Sequence, residues 1–260
     1  MKFGGVALAT PHHFLHVAAV IKQKLKKNSR LVIVVSAMGQ MTDELMVLAK
    51  KVSLRPHKRE QDMLISVGER ISMTLLAMAL ADNGVEAISL TGSQSGIITS
   101  DRHLEARILA VRPSRIIKHL DEGKTVIVAG FQGVSKTKEI TTLGRSGSDT
   151  TAVALGIALN AEIIEFYKDV SGFHEEDPKK CSHAPLFSRL TFKKALAFSE
   201  KGSSPLHSRS ILLASKNGLP LHVLSFKKEE RALFPGTIIA DDQSPKSSEP
   251  IYEDDERGSP

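Results

Sequence analysis

Short apolar runs rich in β-branched residues return along the whole chain, and helix-like segments separate them. Leu31–Val35 reads as a buried strand, and Val85–Leu90, Thr125–Ala129, Glu162–Phe166 and Leu221–Leu224 read as further strands. Continuous apolar runs, rather than strict alternation, are what a strand covered on both faces requires. Between them, Thr42–Lys51 sets Leu45, Leu48 and Ala49 at helical spacing. Gln61–Ala81 is a longer helix repeating Leu64, Val67, Ile71, Leu75 and Met78 on one side. Ser148-Asp149 offers capping groups ahead of a helix over Thr150–Leu159. Strands alternating with helices predict an α/β chain: a three-layer αβα sandwich around a mostly parallel, open sheet. In such sheets ligands sit beyond the carboxyl ends of the strands, where glycine-rich turns enter helices.

Charge narrows the choice of ligand. The net charge is +6, but from Asp241 onward seven acidic side chains face only Lys246 and Arg257, so the rest carries +11. A basic body suits an anionic ligand. Nucleic acid is disfavoured, because aromatics are 5% of residues, Trp is absent, and no basic patch is interleaved with aromatics. One cysteine, Cys181, excludes an intramolecular disulfide and reads as a structural thiol. No run approaches the roughly 20 apolar residues that span a bilayer, and no apolar leader follows Lys2-Phe3-Gly4-Gly5. A cytoplasmic location without membrane contact is expected. The Ser-, Pro- and acid-rich stretch after Ala240 is expected to be a disordered, solvated tail.

Three segments carry candidate chemistry. In Lys2-Phe3-Gly4-Gly5, adjacent glycines let backbone approach a phosphate, and the lysine can neutralise phosphoryl oxygens. Taken alone, a lysine before Gly-Gly is more often simply a turn. Ser36-Ala37-Met38-Gly39-Gln40-Met41-Thr42-Asp43 places hydroxyls directly after a strand, suited to a carboxylate or oxyanion or, as readily, to capping the next helix. Thr141-Thr142-Leu143-Gly144-Arg145-Ser146-Gly147-Ser148-Asp149 is the most informative stretch. It combines hydroxyls, glycines, a guanidinium and a carboxylate just before a helix N-terminus, which favours anions. Arg145 can grip a carboxylate with two parallel bonds, and Asp149 can orient a lysine ammonium or help hold Mg²⁺. A GxxxxGK[ST] loop is absent, and His12, His13 and His16 lack the partners of a zinc set.

Taken in order, KFGG, VVSAMGQMTDEL, VGERIS, TGSQSGIIT, VAGFQG and TTLGRSGSDTTAVAL resemble the aspartokinases of the amino acid kinase family, from Lys2 to about Ala240. The resemblance implies one catalytic domain over residues 1–240 with the amino acid kinase fold, followed by an acidic tail at 241–260. It implies transfer of the ATP γ-phosphoryl group to the side-chain carboxylate of L-aspartate with Mg²⁺, the first step toward lysine, threonine and methionine, and in bacteria diaminopimelate. The alternatives are a related amino acid kinase with another carboxylate or phosphate acceptor and a non-catalytic ligand-binding relative. Lys2 would stabilise the transferring group, and Asp149 would organise the active-site lysines. Ser36, Thr42, Glu69, Arg145 and Ser148 would contact aspartate, with Glu69 on the α-ammonium and Arg145 on the α-carboxylate. Lys2, Gly4, Gly5 and Gly147 would line the phosphate path, and Lys168, Asp169, His174, Lys179 and Lys227 the nucleotide side. No dedicated metal ligand is assigned; a homodimer is among the possible assemblies.

The pattern has departures. Val6-Ala7 stands where the family usually has Thr-Ser, Lys168 and His174 change the nucleotide loop, and Leu206-His207-Ser208 replaces Leu-His-Pro. The segment after Phe234-Pro235-Gly236-Thr237 is too short and too poor in apolar residues for the paired regulatory domains most aspartokinases carry. Feedback inhibition through this chain is therefore expected to be absent, unless the sequence is a piece of a longer one.

Overall fold

A computed structural model describes residues 1–175, 184–202, 204–241, 247 and 249–254. Lys179 and Cys181 lie outside the described residues. The first half runs β1 (Lys2–Phe3), α1 (Pro11–Leu25), β2 (Val32–Val35), α2 (Met41–Val52), α3 (Lys58–Ile65), α4 (Val67–Asp82), β3 (Ala87–Leu90), β4 (Ile97–Thr99) and β5 (Ile108–Val111). The chain continues through α5 (Ser114–Asp121), β6 (Thr125–Ala129), β7 (Gln132–Ser135), β8 (Ile140–Thr142), α6 (Gly147–Ala158) and β9 (Ile164–Lys168). Last come β10 (Arg189–Leu190), α7 (Phe192–Glu200), α8 (Ser208–Lys216), β11 (Leu221–Ser225), α9 (Lys228–Leu233) and β12 (Thr237–Ile239).

The main sheet has the order β10-β12-β11-β9-β1-β2-β6-β3, and only β11 with β12 is antiparallel. Both faces are covered, as the continuous apolar runs required. Ile33, Val35, Ile127 and Ala129 face α1 and α4 through Phe14, Ile21, Met73 and Leu76. Their neighbours Val34, Val126 and Val128 face the other way, toward α5, α6 and α8. The three-layer αβα sandwich is therefore the architecture. The chain leaves β1 toward β2 on one side and returns as β9 on the other, so the crevice where the winding reverses opens beside Lys2.

The helix expected over Thr150–Leu159 opens earlier, at Gly147, so Ser148 and Asp149 stand inside its first turn rather than cap it. Three larger features differ from the sequence reading. The single helix expected over Gln61–Ala81 is two, α3 and α4, with the break at Ser66. The buried side of α4 is Glu69, Ser72, Met73, Leu76, Ala79 and Leu80, whereas Met78 is 62% exposed. The helix is apolar nearly all round, so spacing alone could not choose a face. Lys58–Asp82 taken together is long and apolar enough to cross a bilayer, yet half of its apolar window is buried inside the protein; it is a core element here.

The second difference is a smaller sheet, β5-β4-β7-β8, which delivers the chain from Gly130 to Thr142. Its strands are only three or four residues long, and three of them carry polar residues; β5, Ile108-Leu109-Ala110-Val111, is apolar but is not among the strands expected from the sequence. The third concerns the tail. Around Ile251–Glu253 it is bound rather than free: the Ile251 backbone exchanges two bonds with Asn217, at 2.9 Å each, and Tyr252 packs on the larger core. A side-chain amide that satisfies both polar groups of one residue can anchor a segment with little apolar area.

Candidate active site

The parallel strands end on one edge of the sheet, and the turns leaving them build a cleft of about 480 Å³. β1 runs into Gly4-Gly5, β2 into Ser36, β6 into Gly130-Phe131, and β9 ends at Lys168. Lys2, Gly5, Ser36, Thr42, Glu69, Arg145, Gly147, Ser148, Asp149 and Lys168 all line this cleft. Gly4 stands at its edge; a Cβ there would come 3.8 Å from Lys2 Nζ. Gly5 has a stricter reason to be glycine, since a Cβ would lie 2.8 Å from the Ala37 carbonyl oxygen.

The cleft floor is a buried charge cluster. Asp149, in the first turn of α6, is in ion-pair contact with Lys2 Nζ at 2.6 Å through one oxygen, and its other oxygen accepts from Lys168 Nζ at 2.7 Å. The two lysines come from adjacent strands, and β1–β9 pairing fixes their spacing. Burial alone would raise the Asp149 pKa; Lys168 and Lys2 more than reverse this and hold it at about 2. Burial pushes Lys2 down to about 8 despite Asp149. Two ammonium groups against one carboxylate leave an excess positive charge on the floor, a demand that a bound anion satisfies.

Glu69 provides the opposite polarity. It is 3% exposed; its Oε1 accepts from Ala37 N–H at 3.1 Å, and its Oε2 is buried without a protein partner. Burial raises its pKa to about 7, and the Ala37 bond only partly offsets that. Gly68 allows this contact, since a Cβ there would meet the Ala37 Cβ at 2.7 Å. Arg145 is exposed on the turn opposite, between Gly144 at φ 72° and Ser146 at φ 56°.

Other expected residues fall elsewhere. Asp169, His174 and Lys227 do not line the cleft. Lys227 is half-exposed and pairs with Glu230 at 2.7 Å. Both ring nitrogens of His174 are engaged, by Ser171 Oγ and the Ala184 carbonyl, each at 2.9 Å, so in this arrangement the ring ties its own loop. Lys168, a departure in sequence, is the second lysine on Asp149. Met46, Ile65 and Leu104, which no motif marks, also line the cleft, together with Phe131 of the VAGFQG segment. Leu104 and Phe131 adopt φ of 71° and 67°, a conformation that bulky side chains rarely take and that their sequence does not announce.

Comparison with known proteins bears on this arrangement. The profile of the amino acid kinase family matches residues 1–225. The chain belongs to the amino acid kinase family. Within that family it is 46% identical over 243 residues to an aspartokinase of Geobacillus stearothermophilus, covering 94% of this chain and 59% of that protein. It is 47% identical over 240 residues to an aspartokinase of Corynebacterium glutamicum, covering 92% of this chain and 56% of the other. The crystal structure of an aspartate kinase from Synechocystis superposes with a TM-score of 0.82 at 40% identity, over 95% of this chain and 40% of that one. This amino acid kinase thus spans somewhat over half the length of the curated relatives it matches.

Proposed function

We propose that this chain carries the catalytic apparatus of an aspartate kinase, moving the ATP γ-phosphoryl group onto the side-chain carboxylate of L-aspartate. The observation that carries this reading is the pairing of a buried, partnerless Glu69 oxygen with a cationic floor in one cleft. A zwitterionic amino acid answers both ends. Its ammonium fits Glu69, its α-carboxylate fits Arg145, and the side-chain carboxylate is left toward the floor. The relatives named above support the same substrate.

The chemistry needs no enzyme-bound intermediate. An ionised carboxylate oxygen attacks the γ-phosphorus, the bond to the β–γ bridging oxygen breaks, and ADP leaves. Because the nucleophile is already deprotonated, no general base is required, and alignment with charge stabilisation does the rest. Lys2 and Lys168 face the phosphoryl oxygens, while Asp149 holds both ammonium groups in place. Thr42, Ser36 and Ser148 offer hydroxyls to the acceptor. The adenosine side would lie toward Asp169, His174 and Lys227. Mg²⁺, expected with ATP, finds no cage of its own: both Asp149 oxygens face lysines, and among the described residues no three His, Cys, Asp or Glu gather as metal ligands. Charge stabilisation by this chain's own residues therefore falls to Lys2 and Lys168.

The test is an acceptor panel with ATP, following ADP release and trapping the acyl phosphate with hydroxylamine. Aspartate should give the hydroxamate. Turnover of glutamate or UMP without aspartate would overturn the acceptor assignment, and ATP binding without any turnover would overturn the enzymatic one.

A further inference from the structure

Arg209 sits at the second position of α8 and does not line the cleft. Its guanidinium is nonetheless fully committed to the back of the cleft wall. Nη1 donates to the Leu143 carbonyl, Nη2 donates to the Ala106 carbonyl at 2.7 Å, and Nε and Nη2 reach the two oxygens of Glu253 at 2.5 and 2.8 Å. Glu253 belongs to the C-terminal segment. Its carboxylate also accepts from Ile108 N–H at 2.8 Å, and its own N–H donates to the Ile108 carbonyl at 3.0 Å. Both side chains are nearly buried, at 13% and 11% exposure.

Leu143 is the residue immediately before Gly144-Arg145-Ser146. That turn has left-handed backbone on either side of Arg145. Its far end is tied to α6, where the Gly144 carbonyl accepts from Gly147 N–H at 3.1 Å and the Ser146 carbonyl from Asp149 and Thr150 N–H at 3.0 and 3.2 Å. Its near end, at Leu143, is the part that bonds from other elements hold. The Leu143 N–H reaches the Phe131 carbonyl at 2.9 Å, and Ala106 N–H reaches the Thr142 carbonyl at 2.9 Å. Arg209 therefore bonds the backbone that enters the turn and the neighbouring segment that is bonded to it through Thr142, and a bidentate carboxylate fixes the plane of its fork.

We infer that Arg209 and Glu253 form a positioning pair that sets Arg145 for the acceptor's α-carboxylate, which makes the C-terminal segment part of the substrate site's support. The inference rests on the aspartate reading above. Neither residue touches substrate; both act through the Leu143 carbonyl. A lysine at position 209 keeps the charge but lacks the planar fork needed to bond two carbonyls and a carboxylate together.

Full-length Arg209→Lys and Glu253→Gln test this by steady-state kinetics and by amide hydrogen exchange. Each should raise the KM for aspartate about tenfold, the factor expected when one charge-assisted contact loosens, while the KM for ATP stays within about twofold. Exchange should accelerate over residues 142–149 in both. A brace with a purely structural role would lower the melting temperature and the active fraction, and hence kcat, leaving the aspartate KM at its wild-type value; that outcome refutes the pairing. Should the wild type turn over no aspartate, the acceptor reading fails independently. Exchange over 142–149 still decides the positioning role, and wild-type exchange in both variants overturns it.

Discussion

Glu69→Gln should stabilise this protein and disable its acceptor site at once. The Glu69 pKa is raised from 4.5 to about 7, first by burial. With the folded value above the unfolded one, its favourable contribution is complete below pH 4.5 and is lost as pH rises through 7. At about 1.36 kcal/mol per unit, the buried carboxylate costs about 3 kcal/mol at pH 8 and under about 1 kcal/mol at pH 5. The amide removes that cost but weakens the bond from Ala37 N–H, returning about 1 kcal/mol. The net gain of about 2 kcal/mol at pH 8 corresponds to a melting temperature higher by about 4–8 °C for a chain of this size. The same change deprives a bound ammonium of its counter-charge, about 1.5–3 kcal/mol, so the KM for aspartate should rise by about one to two orders of magnitude. Thermal melts of the unliganded variants at pH 5 and pH 8, with initial rates over a range of aspartate, measure both. A Glu69→Gln protein no more stable than wild type at pH 8, or a stability difference equal at the two pH values, would refute the reasoning.

Other outcomes follow from the same cluster. At saturating ATP, kcat/KM for aspartate should rise with pH through about 7 as Glu69 ionises, and this limb should vanish in Glu69→Gln. Lys2→Met should lower kcat by two or more orders of magnitude with a small change in aspartate KM, because its charge matters most as the phosphoryl oxygens gain charge; a shift confined to KM would contradict that role. Asp149→Ala leaves Lys2 and Lys168 facing each other without a counter-ion, and chemical denaturation should show a loss of about 3–5 kcal/mol. Gly5→Ala forces the Ala37 carbonyl aside, so activity should drop while a distant change such as Leu54→Ser, at a 99% exposed position, leaves it intact.

The Gly4-Gly5 turn and the hydroxyl-rich Ser36–Asp43 segment were legible because each depends on residue type near the end of a strand. Parallel strands place such ends on one edge of the sheet wherever the connections are helical, so Lys2 and Ser36 could be expected on one edge. That Asp149, reached through the antiparallel β7–β8 pair, organises the lysines of the site was implied by the family resemblance. What sequence could not supply is pairing that depends on register and on orientation. Lys168 looked like a departure because only the β1–β9 register reveals that it shares a carboxylate with Lys2. Leu104 and Phe131 enter the cleft through left-handed backbone that their surroundings enforce against local preference.

The sequence by itself determined the layered α/β architecture and the edge of the sheet that binds, because apolar patterning and glycine content act locally and sum along the chain. Tertiary structure alone decided the charge balance of the floor, the orphaned oxygen of Glu69, and the grip of Arg209 and Glu253 on the turn behind Arg145. Those properties arise from burial and from distances of 2.5–3 Å between groups far apart in sequence, and desolvation has no value until the surrounding fold exists.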